Sequence, residues 1–398
     1  MIKEVKLGTI CDLYSAGDKP ARFNENKTEE YNIPVYGNGR DNYGLVGYTD
    51  KAIISTPAVT VAARGSSCGV SFYREKPYTP IVRLISLIAK PGIDTKYLYY
   101  QVANRHFTGM GSGQPQITIP DIADSLIHLE TDTIKQEQIA SVLYAIDSKI
   151  FNNTSICSDL ESMAKLLYDY WFVQFDFPDE NGNPYKSSGG KMVWNEELKR
   201  EIPEGWEVAS ISKIAKILPG GTPSKKIREY WNEGTIPFFG PTDCDNTVYQ
   251  LDTKDHITEK GLRACASSLF DIGTVFITAR GSVGRLVIAG LPMAMNQSCY
   301  AFKPYNNEHV SYLYYFSKQV IEYLKVKSTG SVFKSIITDD IEASLLPIGN
   351  GAVIDAFCKK AGPIFEEIKI LEKENQQLAS LRDFLLPMLM NGQVKLGA

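Results

Sequence analysis

Ala63-Arg64-Gly65-Ser66 returns as Ala279-Arg280-Gly281-Ser282, roughly 200–220 residues further along the chain. The flanking sequence repeats with it. Ile33-Pro34-Val35-Tyr36-Gly37 reappears as Ile236-Pro237-Phe238-Phe239-Gly240, and Tyr97-Leu98-Tyr99-Tyr100 as Tyr312-Leu313-Tyr314-Tyr315. Asp121-Ile122 before Ser125-Leu126 becomes Asp340-Ile341 before Ser344-Leu345. Four matches in one order point to an internal duplication.

Each half opens with short apolar runs separated by Gly, Pro and Asn, such as Thr60–Ala63 and Val70–Tyr73, then Thr274–Thr278 and Arg285–Ala289. These predict short strands with tight turns, while the Tyr-rich stretches 95–106 and 308–325 predict helices, giving an α+β globule. Each half then closes with a long helix. Between 134 and 171 apolar residues fall at Ile139, Val142, Ile146, Ile156, Leu160, Met163, Leu167 and Tyr170. From Ile354 the spacing resumes through Phe357, Ala361, Ile364, Ile368, Leu371, Leu378 and Leu385. Steps of three and four predict a heptad seam. The expected architecture is two similar globules joined by two long antiparallel coiled-coil helices related by a pseudo-twofold. The segments are 1–133 and 206–350 for the globules, 134–175 and 351–398 for the helices, and 176–205 for a connector rich in Asn-Gly and Gly-Gly turn formers.

The bulk properties narrow the function. The chain has 398 residues, 43% hydrophobic and 22% charged, with net charge −4, enough for two well-filled cores. The acidic balance excludes a uniformly basic nucleic-acid coat, though not local basic clusters. The seven cysteines are scattered without a C-x-x-C pair, against a disulfide framework or a zinc site. No signal core and no long apolar run are present, so a soluble cytoplasmic protein is expected. The chain lacks a Gly-Lys-Ser/Thr phosphate loop and any Pro-Pro pair, which rules out the Asn/Asp-Pro-Pro-aromatic motif of amino-methyltransferases. His106, His128, His256 and His309 are isolated from one another, and no metal site is expected. Gly65-Ser66-Ser67-Cys68-Gly69 fits the G-x-S-x-G hydrolase elbow formally, but strand-like Val70-Ser71-Phe72-Tyr73 follows where a helix is needed. The 179–184 turn lacks the further ligands of a calcium loop. Neither a catalytic site nor a cofactor is expected.

The loops carry groups that contact DNA. Asn38, Arg40 and Tyr43 share one loop, and Gln114 and Gln116 lie on a Gly-rich one. Lys225 and Lys226, then Ser331 and Lys334, stand on basic, hydroxyl-rich stretches of the second half. Arg64 and Arg280 sit at equivalent hairpin tips, where they either reach DNA or brace the hairpin against a carboxylate. Arg bridges guanine O6 and N7, Gln or Asn bridges adenine N6 and N7, and hydroxyls and glycine backbone meet phosphate.

With the Ala-Arg-Gly-Ser turns, Gly111-Ser112-Gly113-Gln114-Pro115-Gln116-Ile117, Trp171-Phe172-Val173-Gln174-Phe175-Asp176-Phe177-Pro178 and Pro203-Glu204-Gly205-Trp206-Glu207-Val208 in view, the chain resembles the specificity subunits of type I restriction–modification systems over essentially its whole length. The resemblance implies a non-catalytic reader of double-stranded DNA, each globule binding half of a split, asymmetric target. It implies helices that dock two methyltransferase subunits, with restriction and translocase subunits joining the assembly and AdoMet and ATP belonging to those partners. The Gln-rich loop has no close match around Ser331, as two different half-sites require. Two other classes stay open, a single-chain DNA methyltransferase or nuclease and an RNA-binding scaffold on the same duplication.

Stepping by sevens puts Ile146, Asn153, Leu160 and Leu167 on one seam line, and Ile354, Ala361, Ile368 and Asn375 on the other. Each line holds one Asn near its middle, so antiparallel helices bring Asn153 and Asn375 to the same level, where they either meet and fix register or tilt out to solvent.

Overall fold

Strand pairing is laid out twice in the same order. The computed structural model describes residues 2–103, 105, 107, 115–245, 247–327 and 335–394. It divides into two units, Met1–Ile150 with Gln377–Ala398, and Phe151–Gln376.

In the first unit Cys11–Ser15, Leu84–Ala89, Ala58–Ala62 and Ser71–Arg74 form an antiparallel sheet in that order. Leu45–Thr49 and Thr79–Pro80 flank Ile33–Tyr36 in a second sheet. Ile2–Lys6 closes the globule against Leu126–Glu130. In the second unit Ala215–Pro219, Cys299–Pro304, Val275–Thr278 and Leu286–Ala289 repeat the first sheet. Asp255–Ile257 and Ala294–Met295 flank Ile236–Phe239 as in the other half, and Glu207–Ala209 closes against Leu346–Ile348. One addition distinguishes the second unit: Tyr249–Gln250 extends its large sheet, parallel to Leu286–Ala289. The helices Thr95–Val102 and Val310–Lys327 carry the duplicated Tyr-Leu-Tyr-Tyr segments and bury Tyr97, Leu98 and Tyr100, and Tyr312 to Tyr315. Among the described residues no helix is long and apolar enough to cross a membrane.

The long helices are Thr133–Tyr168 and Gly351–Met390. Both start on an acceptor side chain: Asp132 Oδ1 accepts from Ile134 N at 3.0 Å, and Asn350 Oδ1 from Val353 N at 3.0 Å. Within the second unit they run antiparallel, since the Tyr168 ring lies 5.9 Å from that of Phe357 while Asn153 lies at Asn375. Within the first unit Arg382 Nη1 donates to Asp147 Oδ1 at 3.0 Å, and Leu389 and Met390 join the apolar core of Leu7, Val59, Leu87 and Leu143.

One expectation needs correction. Ile156 and Met163, placed on the seam, are 45% and 60% exposed, whereas Cys157, Ala164 and Tyr168 are buried. Steps of three and four run equally well through two stripes of this helix, and small Cys157 and Ala164 form the one that packs inward. The connector 176–205 belongs to the second unit and is largely exposed along 178–191, as its turn residues predict, while its ends are anchored. Phe177 stacks between Tyr185 and Trp206 at 4.6 and 5.2 Å. The Asp176 carboxylate accepts from Ser187 N and Oγ, both at 2.7 Å, and Met192–Asn195 pairs with Arg200–Pro203. Aromatic anchors hold the ends of the segment, and the turn residues between them stay at the surface.

Candidate nucleic-acid interface

The hairpin of Ala58–Ala62 with Ser71–Arg74 turns at Arg64-Gly65-Ser66, and its counterpart turns at Arg280-Gly281-Ser282. Gly65 and Gly281 take φ of +75° and +80°, the left-handed region that glycine enters without steric cost. A strand, not a helix, follows Gly65–Ser67, so the G-x-S-x-G match is a hairpin turn.

The first tip is fixed on two sides. Arg64 bridges Gln116, and Ile117 N donates to Ala63 O at 2.8 Å. The Asn38 amide is spent on the Arg64 backbone: Nδ2 donates to Arg64 O, and Oδ1 accepts from Arg64 N at 3.3 Å. Asn38, Arg64 and Gln116 thus come together, with the Asn38 amide bonded to the Arg64 backbone. Arg64 is exposed and meets no carboxylate among the described residues. Arg40 is exposed and borders a cavity of about 330 Å³ with Tyr99, Arg105, Asp147 and Arg382. Tyr43 packs edge-on against Phe72 at 5.5 Å, and burial pushes its hydroxyl pKa up. Gln114 lies outside the described residues.

The second tip repeats the frame. Arg280 bridges Ser335, Ile336 N donates to Ala279 O at 3.0 Å, and Ser298 O accepts from Ala279 N at 2.8 Å and Arg280 N at 3.2 Å. Arg280 is exposed and, among the described residues, unpaired. Lys225 and Lys226 are not in direct contact with it; Thr222 Oγ1 donates to Gln297 Oε1, beside Ser298. Lys225 Nζ stands 3.6 Å from Asp255 Oδ2 and 5.3 Å from the Trp231 ring, while Lys226 is exposed. Ser331 and Lys334 lie outside the described residues.

Three residues of these frames escaped the sequence reading. Arg83, exposed at φ +71°, holds Ala63 N with its carbonyl at 2.8 Å, the place Ser298 takes in the other half. Nothing in Ile81-Val82-Arg83 announces a left-handed residue. Arg74 is 6% exposed. Its Nη2 donates to Tyr43 O at 2.7 Å, its Nε to Thr60 Oγ1 at 3.0 Å, and its guanidinium lies 3.6 Å from the Tyr36 ring centroid. Burial lowers its pKa. A lone Arg in a strand reads as solvent-facing; here aromatic faces admit it to the interior. Glu372, 9% exposed on the second long helix, accepts from Val248 N at 2.8 Å and Tyr249 N at 2.9 Å, and burial pushes its pKa up to about 7.

Comparison with known proteins places this arrangement. A family model described as the type I restriction modification DNA specificity domain matches residues 2–161 and 203–349. The chain is similar to the HindI type I restriction enzyme specificity subunit of Haemophilus influenzae, 25% identical over 329 residues, covering 70% of this chain and 71% of that protein. It is also similar to the MjaIX specificity subunit of Methanocaldococcus jannaschii, 25% identical over 334 residues, covering 81% and 74%. Among solved structures, the S subunit of a type I restriction–modification system from M. genitalium matches with a TM-score of 0.59 at 18% identity, covering 100% of this chain and 97% of that one, a likeness of fold.

Proposed function

The chain belongs to the type I restriction-modification DNA specificity family, and on that premise we propose that it is a non-catalytic, cytoplasmic subunit that reads a split, asymmetric DNA target. The observation that carries this reading is the hairpin frame built twice, each time presenting an exposed arginine, Arg64 or Arg280, unpaired among the described residues and in different company. Gln116 and Arg83 stand beside the first tip, Ser335 and Ser298 beside the second. Identical frames give two reading heads, and unlike neighbours give two different half-sites.

The helices supply docking surface for partners. In the second unit Ile156, Met163 and Leu166 leave an apolar stripe exposed on the first long helix, with Tyr170 just beyond its end, and in the first unit Leu381 and Phe384 do so on the second. Exposed apolar stripes of this kind mark protein contacts, here two methyltransferase subunits, with restriction and translocase subunits completing the complex. With a net charge of −4, the bound complex draws much of its DNA affinity from those partners.

Mapping methylated adenines in a host that expresses this chain with its methyltransferase subunit tests the proposal. The expected result is one two-part asymmetric motif with a fixed spacer. A contiguous motif, or methyl transfer from AdoMet by the purified chain alone, overturns it.

A further inference from the structure

The strands Ile33–Tyr36 and Ile236–Phe239 are counterparts, and each leads into a loop of its own recognition frame. In the first half that loop holds Asn38 to Gly44 and turns through Asn42 and Tyr43 at φ +46° and +53°. Side chains with a Cβ adopt such angles only where the surroundings impose them. Gly37 N donates to Gly44 O at 2.8 Å, and the Arg74 guanidinium holds the Tyr43 carbonyl from outside. No carboxylate stands within ion-pair distance of Arg74 among the described residues, so its hydrogen bonds and aromatic contacts bear the whole interaction.

The second half solves the same problem with the opposite charge. Ala58 pairs with Arg74 in one hairpin, and Ala289 N donates to Thr274 O in the other, so Ala289 stands where Arg74 does. The small side chain leaves that edge to Tyr249–Gln250, part of a longer loop. That loop is gripped by both carboxylate oxygens of Glu372, one on each of two successive N–H groups, and Arg285 Nη1 donates to Cys244 O at 2.9 Å.

We infer that Arg74 and Glu372 are the positioning residues of the two recognition loops, each clamping the loop backbone of its own half without touching DNA. The inference rests on the DNA-reading function proposed above.

Arg74→Met, Arg74→Lys and Glu372→Gln in the full chain test it. In the free protein, amide hydrogen exchange at Gly37 rises tenfold or more in Arg74→Met, while Val59 and Val61 keep their protection. In Glu372→Gln the Val248 and Tyr249 amides exchange faster, because glutamine offers one acceptor oxygen to two N–H groups. In complex with the methyltransferase subunit, sequencing of a methylated randomised duplex pool shows base preference falling about tenfold at the first half-site alone for Arg74→Met, and at the second alone for Glu372→Gln. Arg74→Lys restores part of the loss. The slope of log K against log salt stays at the wild-type value. Unchanged exchange, equal loss at both half-sites, or a slope lowered by about one overturns the clamp. A wild-type complex with no two-part motif overturns the DNA-reading function instead, and the exchange result still decides the clamp.

Discussion

Asn153 donates from Nδ2 to Asn375 Oδ1 at 3.0 Å, a hydrogen bond between the two long helices inside the second unit. Asn153 also donates to Glu374 Oε2 at 2.7 Å, and Asn375 Nδ2 donates to Thr154 Oγ1 at 3.3 Å. Asn153 is fully buried, and its own Oδ1 lacks a partner among the described residues. A buried amide with one unsatisfied atom costs stability, while its directional bonds penalise every other register. Replacing both residues with leucine is expected to stabilise the protein by about 1 kcal/mol and to broaden the accepted spacer length between half-sites. A slip of one heptad moves about 10 Å along a helix. Calorimetry and methylation of targets with graded spacers check this; a lower Tm, or an unchanged spacer preference, counts against it.

Arg64→Ala is expected to remove about 1–3 kcal/mol of discrimination at the first half-site and none at the second. Arg280→Ala reverses the pattern. Both guanidiniums are exposed and unpaired among the described residues, so Tm should hold. Equal losses at both half-sites with a falling Tm would assign the arginines to the fold.

Lys226→Ala is expected to lower the salt slope of DNA binding by about one unit. Lys225→Ala should lower it less, since Lys225 already faces Asp255 and Trp231. Titration of the assembled complex on its target at several salt concentrations measures both, and an unchanged slope for Lys226→Ala moves the phosphate contact elsewhere.

Glu372 makes stability depend on pH. Its folded pKa of about 7 exceeds the ordinary value of 4.5, mainly because it is buried and secondarily because of Glu161, while the two N–H donors hold it down. Between those values the folded state keeps a proton that the unfolded chain has released. Stability therefore falls as pH rises from about 4.5 to 7, by about 3 kcal/mol, and levels off above. Urea unfolding at pH 5 and 7.5 should show this difference in the wild type and lose it in Glu372→Gln; equal pH dependence in the two refutes it.

The duplication was legible because strand, turn and cap chemistry recur residue by residue. Asp121 Oδ2 accepts from Thr118 N at 2.7 Å, and Asp340 Oδ2 from Ile337 N at 3.1 Å, in the two halves. The seam was half legible: spacing announces that a helix has an apolar stripe, but not which of two stripes turns inward. For the candidate interface, the sequence marks loops rich in polar groups but not which of those groups the fold already uses. Asn38 carries the donors and acceptors of a base reader, yet a backbone 26 residues away uses them first. Arg74 and Glu372 were invisible for a related reason. A charge enters an interior only when its partners, here ring faces and main-chain groups, are already in place, and those partners are set by topology.

The first unit draws Leu389 and Met390 into the core that also holds Leu7 and Val59. Residues near opposite ends of the chain must therefore meet before that core is complete. On the ribosome, where domains generally fold as they emerge, the half made first is finished last. Until the second long helix has been synthesised, Leu7, Leu143 and their neighbours lack part of their cover, and a nascent or truncated chain offers that apolar surface to chaperones and proteases. Completion of the first globule's core is in this way tied to synthesis of the second long helix.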